Sequence, residues 1–289
     1  MPLTQAKPIE EIFTPAQTMD MLVPGIESLK SRLRATWMAG DYDRFSRFME
    51  NDARSFYERL DVPPGAHLLD VACGSGQLAL IAAREGVRVT GVDIAENLIE
   101  RAQARSTAEN LPARFRIADA ESLPFSDASF DVVVSLIGAM FAPRPHLVAR
   151  ELTRVCVPGG TIAMANWTAG GFVGSMFKTI AKFIAPSGMP SPVLWGDEAT
   201  VRERFGAQVF GLTLTRRYFT FDYPFPPSDV VHFFRLYYGP VNRAFSSLDR
   251  AGRKSLHQEL EALWSAHNRG RDGFTLVAAE YLEVIATRA

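Results

Sequence analysis

Residues 66–93, AHLLDVACGSGQLALIAAREGVRVTGVD, constrain the fold more than any other stretch of this chain. LLDVA is a short apolar run that ends in small residues, and it reads as a buried strand. CGSGQ is a turn. LALIAARE continues as a helix, and VRVTGV returns to β-branched residues. The order strand, glycine turn, helix, strand defines a βαβ unit with a right-handed crossover. Asp70 closes the first strand and Asp93 closes the second.

The turn also constrains the ligand. Gly74 and Gly76 have no Cβ, so the backbone there can approach a ligand closely. The turn opens a helix whose first N–H groups are unpaired and attract electron-rich oxygen. Asp93, at the tip of the next strand, is placed to accept hydrogen bonds from a ribose diol. The stretch therefore reads as a nucleoside site. The spacing Gly74-x-Gly76-x-x-Ala79 fits the dinucleotide fingerprint, so an NAD-dependent oxidoreductase is one reading. A non-catalytic nucleoside-binding or scaffold protein is another. Two features favour a sulfonium cofactor. Asp70 precedes the glycines on the same strand end, where a pyrophosphate would meet a like charge and an amino group would find a partner. RIADAESLPFSDASFDVVVS then places Asp119 at a third strand end, suited to an adenine amino group.

Over about residues 66–167 this pattern resembles motif I, the acidic ribose position and the later motifs of class I S-adenosylmethionine (SAM) methyltransferases. It is most similar to the branch containing the ubiquinone/menaquinone biosynthesis C-methyltransferases, and the PGG at 158–160 fits that branch too. Ala72 departs from it, standing where the family often has its first glycine. The resemblance implies a doubly wound, mostly parallel seven-stranded α/β sheet (a Rossmann-like methyltransferase fold) with an inserted helical cap. It implies SAM as cofactor and S-adenosylhomocysteine as product. It assigns to the cofactor Asp70, Ala72, Cys73, Gly74, Gly76, Gln77, Asp93, Ile94, Leu98, Asp119 and Ala120, with Ser135 and Leu136 beside the methyl donor. WMAGDYDRF resembles the segment that folds over the cofactor in similar enzymes, which adds Trp37 and Tyr42. The activity implied is methyl transfer to a small-molecule acceptor by in-line displacement.

The rest of the chain is consistent with this. At 289 residues and 47% hydrophobic content it suits one large α/β domain with insertions. A net charge of −1 gives no nucleic-acid footprint. Two cysteines without a CxxC offer neither a disulfide framework nor a zinc pattern, so no metal is expected. The start lacks a basic region followed by an apolar core, and no apolar run reaches membrane-spanning length. A cytoplasmic protein without membrane insertion, monomeric or homodimeric, is expected.

Residues 1–60 are expected to be a loose arm followed by helices over the cofactor site, with Asp41 capping the second helix. Residues 61–167 are expected to be the SAM-binding core. Strands are expected near FRIAD, FDVVVSL, VPGGTIAMANW, VFGLTLTRRYFTFDY and FTLVAAEYLEVIATRA. Between them, residues 168–195 and 224–272 are too long for simple connections and read as a cap over the acceptor. In HFFRLYY, most of Phe233, Phe234, Tyr237 and Tyr238 fall at helical spacing as core. Tyr238 and His232 are candidate bases, and Arg235 and Tyr237 are candidate acceptor contacts.

Overall fold

The computed structural model describes residues 25–185 and 188–289; the expected N-terminal arm lies outside these. Three helical segments come first: α1 (Ile26–Trp37), α2 (Tyr42–Ser46) and α3 (Glu50–Glu58), the last two joined by a 3-10 turn at Arg47–Met49. The Asp41 carboxylate caps α2 by accepting from the Arg44 amide at 3.1 Å, as its position predicts. The core then alternates β1 (His67–Val71), α4 (Gln77–Arg84), β2 (Arg88–Asp93), α5 (Glu96–Ala108), β3 (Arg114–Ile117), β4 (Phe130–Leu136), α6 (Pro145–Val155) and β5 (Cys156–Trp167). The remainder is α7 (Phe172–Ala181), α8 (Glu198–Phe205), β6 (Val209–Tyr223), α9 (Pro227–Tyr237), α10 (Gly239–Ser247), α11 (Arg250–His267) and β7 (Thr275–Arg288).

All seven strands form one sheet in the order β3-β2-β1-β4-β5-β7-β6. Strands β1 to β5 pair in parallel, and β7 runs antiparallel between β5 and β6. β1 is buried along almost its whole length, because helices cover both faces of a parallel sheet. Its near-continuous apolar run follows from that burial. The sheet order reverses at β1, so the carboxyl ends of β1 and β4 flank the crevice where such sheets hold ligands. The register sets Asp70 opposite Gly91 and carries Asp93 one step beyond the paired part of β1.

The two long insertions both pack towards that end. α7 leaves the carboxyl end of β5 and packs on α11, where the Phe172 and Trp264 rings meet at 4.4 Å. α9 packs on α2, and α10 packs on α1. The α1–α10 contact is close: a Cβ on Gly239 would lie 2.1 Å from the Thr36 carbonyl oxygen. A Cβ on Gly40, at φ +81°, would lie 2.8 Å from the carbonyl oxygens of both Leu236 and Tyr237. Any side chain at these two positions would push the N-terminal helices off the α9–α10 pair. No helix among the described residues is long and apolar enough to cross a membrane.

Candidate active site

The glycine turn is tied to the sheet by its own backbone, with the Cys73 amide donating to the Val92 carbonyl at 2.9 Å. Gly74 and Gly76 both take positive φ, +54° and +82°, but they serve different surfaces. A Cβ on Gly74 would lie 3.3 Å from the Tyr42 ring, whereas one on Gly76 would meet Ala102 and Phe115 at 3.2 Å. Gly74 thus keeps the turn close under Tyr42. Gly76 lets α4 approach α5 and β3 and lines no cavity. Ala72 also has positive φ, +58°, so the alanine at this glycine position is held in the left-handed region.

Asp93 organises the turn. One carboxylate oxygen accepts from the Gly74 amide at 2.9 Å and the other from the Ala95 amide at 2.8 Å. The side chain is buried at 7% exposure yet lines the cavity, where its carboxylate can accept from a ligand hydroxyl. Burial raises its pKa, and the backbone amides work against that rise.

The cavity beside Asp93 has a volume of about 760 Å3, the solvent at its mouth included. Its wall carries twelve of the expected cofactor residues. Ala72, Cys73, Gly74 and Gln77 come from the turn, Asp93, Ile94 and Leu98 from the end of β2 and the start of α5. Asp119 and Ala120 follow β3, Leu136 ends β4, and Trp37 and Tyr42 come from the N-terminal helices. Three expected residues stand elsewhere. Gly76 is the packing glycine described above. Asp70, at 1% exposure, accepts the Ala79 amide of α4 at 3.1 Å and lies beneath the turn rather than on the cavity wall. An amino group in the cavity therefore does not meet Asp70 directly; burial instead pushes its carboxyl up to about 7. The Ser135 hydroxyl donates to the Val71 carbonyl at 2.8 Å and accepts from the Ala139 amide at 2.9 Å, so it ties β4 to β1 and does not face the cavity.

Other wall residues carried no sequence signal. Lys30 of α1 bonds Asp119 at 2.5 Å and Glu121 at 2.7 Å, bringing together residues 89 positions apart. Glu121 is fully enclosed and also takes Arg144 at 2.8 Å. Burial works against the Lys30 charge, but its bonds to the two carboxylates outweigh that and hold its pKa above the ordinary value. Lys30, Leu33 and Trp37 follow each other at three- and four-residue spacing, so one face of α1 covers the cavity. Ile137 also lines it, at φ +55°, which is an unusual conformation for a β-branched residue.

A second cavity opens beside the first and shares Trp37, Tyr42, Ile137 and Phe141 with it. Its other walls are Phe45 and Met49, Trp167 of β5, Val173 and Met176 of α7, Phe221 of β6, and Phe234 and Tyr238 of the second insertion. Ring contacts fix the shared wall: Trp37 lies 5.6 Å from Tyr42, 4.9 Å from Phe141 and 6.0 Å from Tyr238, centroid to centroid.

Of the four acceptor-site candidates, Tyr238 is the one that lines either of these two cavities. It is buried, and that burial pushes its phenol well above the ordinary value. His232 is exposed, because the face of α9 that carries Val231 and Phe234 inward turns residue 232 outward. Arg235 lies over the Phe245 ring at 5.2 Å. The Tyr237 ring is tilted against Phe233 at 4.9 Å, under the Arg44 guanidinium. Neither lines either of the two cavities described; helical spacing alone does not say which face a cavity takes.

Comparison with known proteins fits this geometry. Residues 69–164 match the family model described as a methyltransferase domain. An uncharacterized protein of Mycobacterium tuberculosis is 37% identical over 235 residues, covering 80% of this chain and 85% of that protein. The 2-methyl-6-phytyl-1,4-hydroquinone methyltransferase of a Synechocystis species is 40% identical over 107 residues, 37% of this chain and 33% of that enzyme. The solved structure of the YcgJ protein from Bacillus subtilis shares the fold, with a TM-score of 0.58 at 17% identity over 82% of this chain and 98% of that one. The sheet order, the glycine turn with its acidic strand ends and the domain match define a class I SAM-dependent methyltransferase. Within that class the chain belongs to the family of the mycobacterial protein, with which it shares most of its length. The dehydrogenase reading of the glycine spacing falls with this assignment.

Proposed function

We propose that the chain moves a methyl group from S-adenosylmethionine to a small-molecule acceptor held in the second cavity. The observation that carries this reading is the shared wall. Trp37, Tyr42, Ile137 and Phe141 border both spaces, so a methyl donor in the first faces a narrow apolar cavity. A site between packed helices suits a small molecule rather than a polymer. The quinol named for the Synechocystis relative is of this kind, which supports the reading without fixing the acceptor.

The cofactor fits the residues present. Asp93 offers its carboxylate to a ribose diol. Asp119 and the backbone at Ala118–Ala120 would hold the adenine, and the turn at Ala72–Gly74 with Gln77 would hold the amino-acid end. When bound, the cofactor supplies a methyl group already activated by its positive sulfur. The chain's part is then to place the acceptor in line and exclude water. Among the described residues no carboxylate, imidazole, amine or guanidinium lines the second cavity, and the Tyr238 phenol stays protonated at neutral pH. Tyr238 is therefore a hydrogen-bond donor and not a base, and a proton released by the acceptor on methylation passes to water. The segments 168–195 and 224–272 act as the cap, through Val173 and Met176 on one side and Phe234 and Tyr238 on the other.

The test is an incubation of the protein with methyl-labelled SAM and a whole-cell extract, fractionated afterwards. Label is expected in a small organic-soluble product. Label confined to protein or nucleic acid would overturn the small-molecule reading.

A further inference from the structure

We infer that Trp37, Tyr42 and Phe141 clamp the positive sulfur of the methyl donor through their ring faces, and so favour the charged donor over the neutral product. This deepens the donor-site reading given above and rests on it. The three rings and Ile137 border both cavities. Phe141 lies 4.9 Å from Trp37 at an interplanar angle of 65°, and Tyr42 lies 5.6 Å from it at 89°. Two rings thus stand steeply against a third and make three sides of a box.

Each side is fixed from a different part of the chain. Trp37 ends α1, which Lys30 ties to Asp119 and Glu121. Tyr42 opens α2 with its ring against the glycine turn, 3.3 Å from where a Cβ on Gly74 would stand. Phe141 ends the 3-10 turn Ala139–Phe141, whose first amide donates to the Ser135 hydroxyl at 2.9 Å.

This border suits a cation. Trp37, Tyr42, Ile137 and Phe141 carry no charge, so a positive group there leaves water without gaining a carboxylate on the border. What the rings offer instead is the negative potential of their faces, which attracts a cation within about 6 Å of a ring centre. Burial pushes the Tyr42 phenol well above its ordinary value, so its ring acts as a neutral face and not as a phenolate. A neutral thioether gains none of this attraction. The rings therefore lose their hold once the S–CH3 bonding pair stays on sulfur and the methyl group has left with the charge.

The test is calorimetric titration of the whole protein with SAM, S-adenosylhomocysteine and the sulfoxide of S-adenosylhomocysteine. The sulfoxide keeps the three-substituent shape of the sulfonium without its net charge. Wild type is expected to bind SAM at least about fivefold more tightly than the sulfoxide. Phe141→Leu and Trp37→Met keep apolar bulk and remove a ring. Each is expected to lower the ratio of SAM affinity to sulfoxide affinity by about fivefold. Phe141→Tyr, which keeps a ring, should leave the ratio unchanged. Equal binding of SAM and the sulfoxide by wild type would overturn the proposal, as would an unchanged ratio in either ring-less variant shown to be folded by circular dichroism. Failure of wild type to bind S-adenosylhomocysteine at all would instead bring down the reading of the first cavity, and this proposal with it.

Discussion

Replacing Asp93 by alanine tests the centre of the site. The carboxylate accepts the Gly74 and Ala95 amides at 2.9 and 2.8 Å and lines the cavity. Two hydrogen bonds from a ribose diol to a charged acceptor contribute roughly 1.5–3 kcal/mol each. Burial already strains the ionised form, as its raised pKa shows, so part of that gain offsets desolvation. A net loss of about 2–4 kcal/mol remains, or roughly 30- to 1000-fold in affinity at 1.4 kcal/mol per factor of ten. Asp93→Asn should fail nearly as badly. Its amide can offer one oxygen, but its NH2 cannot accept the second backbone N–H. The assay is calorimetric titration with S-adenosylhomocysteine, alongside circular dichroism and a thermal melt to show that each variant is folded. A folded Asp93→Ala protein that binds within about threefold of wild type would refute the role given to this carboxylate, since even one lost charged hydrogen bond exceeds that.

Three further outcomes follow from the same geometry. Lys30→Met removes the bridge from α1 to Asp119 and Glu121, so stopped-flow release of S-adenosylhomocysteine should quicken by about tenfold and lose its dependence on salt; an unchanged rate would mean that α1 is held down by its apolar contacts alone. Ala72→Gly relieves a left-handed alanine and should raise stability by about 0.5–1 kcal/mol in urea denaturation, after the entropy cost of glycine; a clear destabilisation would contradict the strain. Asp70→Asn concerns pH. A buried carboxyl raised to about 7 in the fold, against about 3.9 unfolded, gives stability that is complete below pH ~4 and lost as pH rises through 7. The wild-type protein without cofactor should therefore lose on the order of 4 kcal/mol from this group between pH ~4 and 8. Asp70→Asn, whose amide oxygen can still accept from Ala79, should not, and parallel melting curves against pH would rule this out.

Much of the fold was legible because the βαβ core advertises itself. The apolar runs of β1 and β4, the glycine turn and the acidic tips of β1 and β2 are local features, and the strands stand where those features put them. The cavity wall was legible to the same extent, since Ala72 to Gln77 and Asp93 to Leu98 are contiguous with the turn and the strand tip. What sequence could not supply was long-range pairing and facing. Nothing in IESLKSRLRATW marks Lys30 as the partner of a carboxylate 89 residues away. Nothing in a β-branched residue announces a left-handed Ile137. In α9 the helical period was correct, but which face turns inward was decided by packing on α2 and α11, and it turned His232 out. Ser135 and Asp70 sat at the right strand ends and still pointed into the scaffold, because the backbone amides of Ala139 and Ala79 needed acceptors there.

The most direct measurement is a crystal structure of the complex with S-adenosylhomocysteine. The ribose hydroxyls are expected on the Asp93 carboxylate, the adenine beside Asp119, and the sulfur at the border formed by Trp37, Tyr42, Ile137 and Phe141, facing the second cavity. A ribose held away from Asp93, or a sulfur turned away from that chamber, would contradict the reading of these two cavities as donor and acceptor sites.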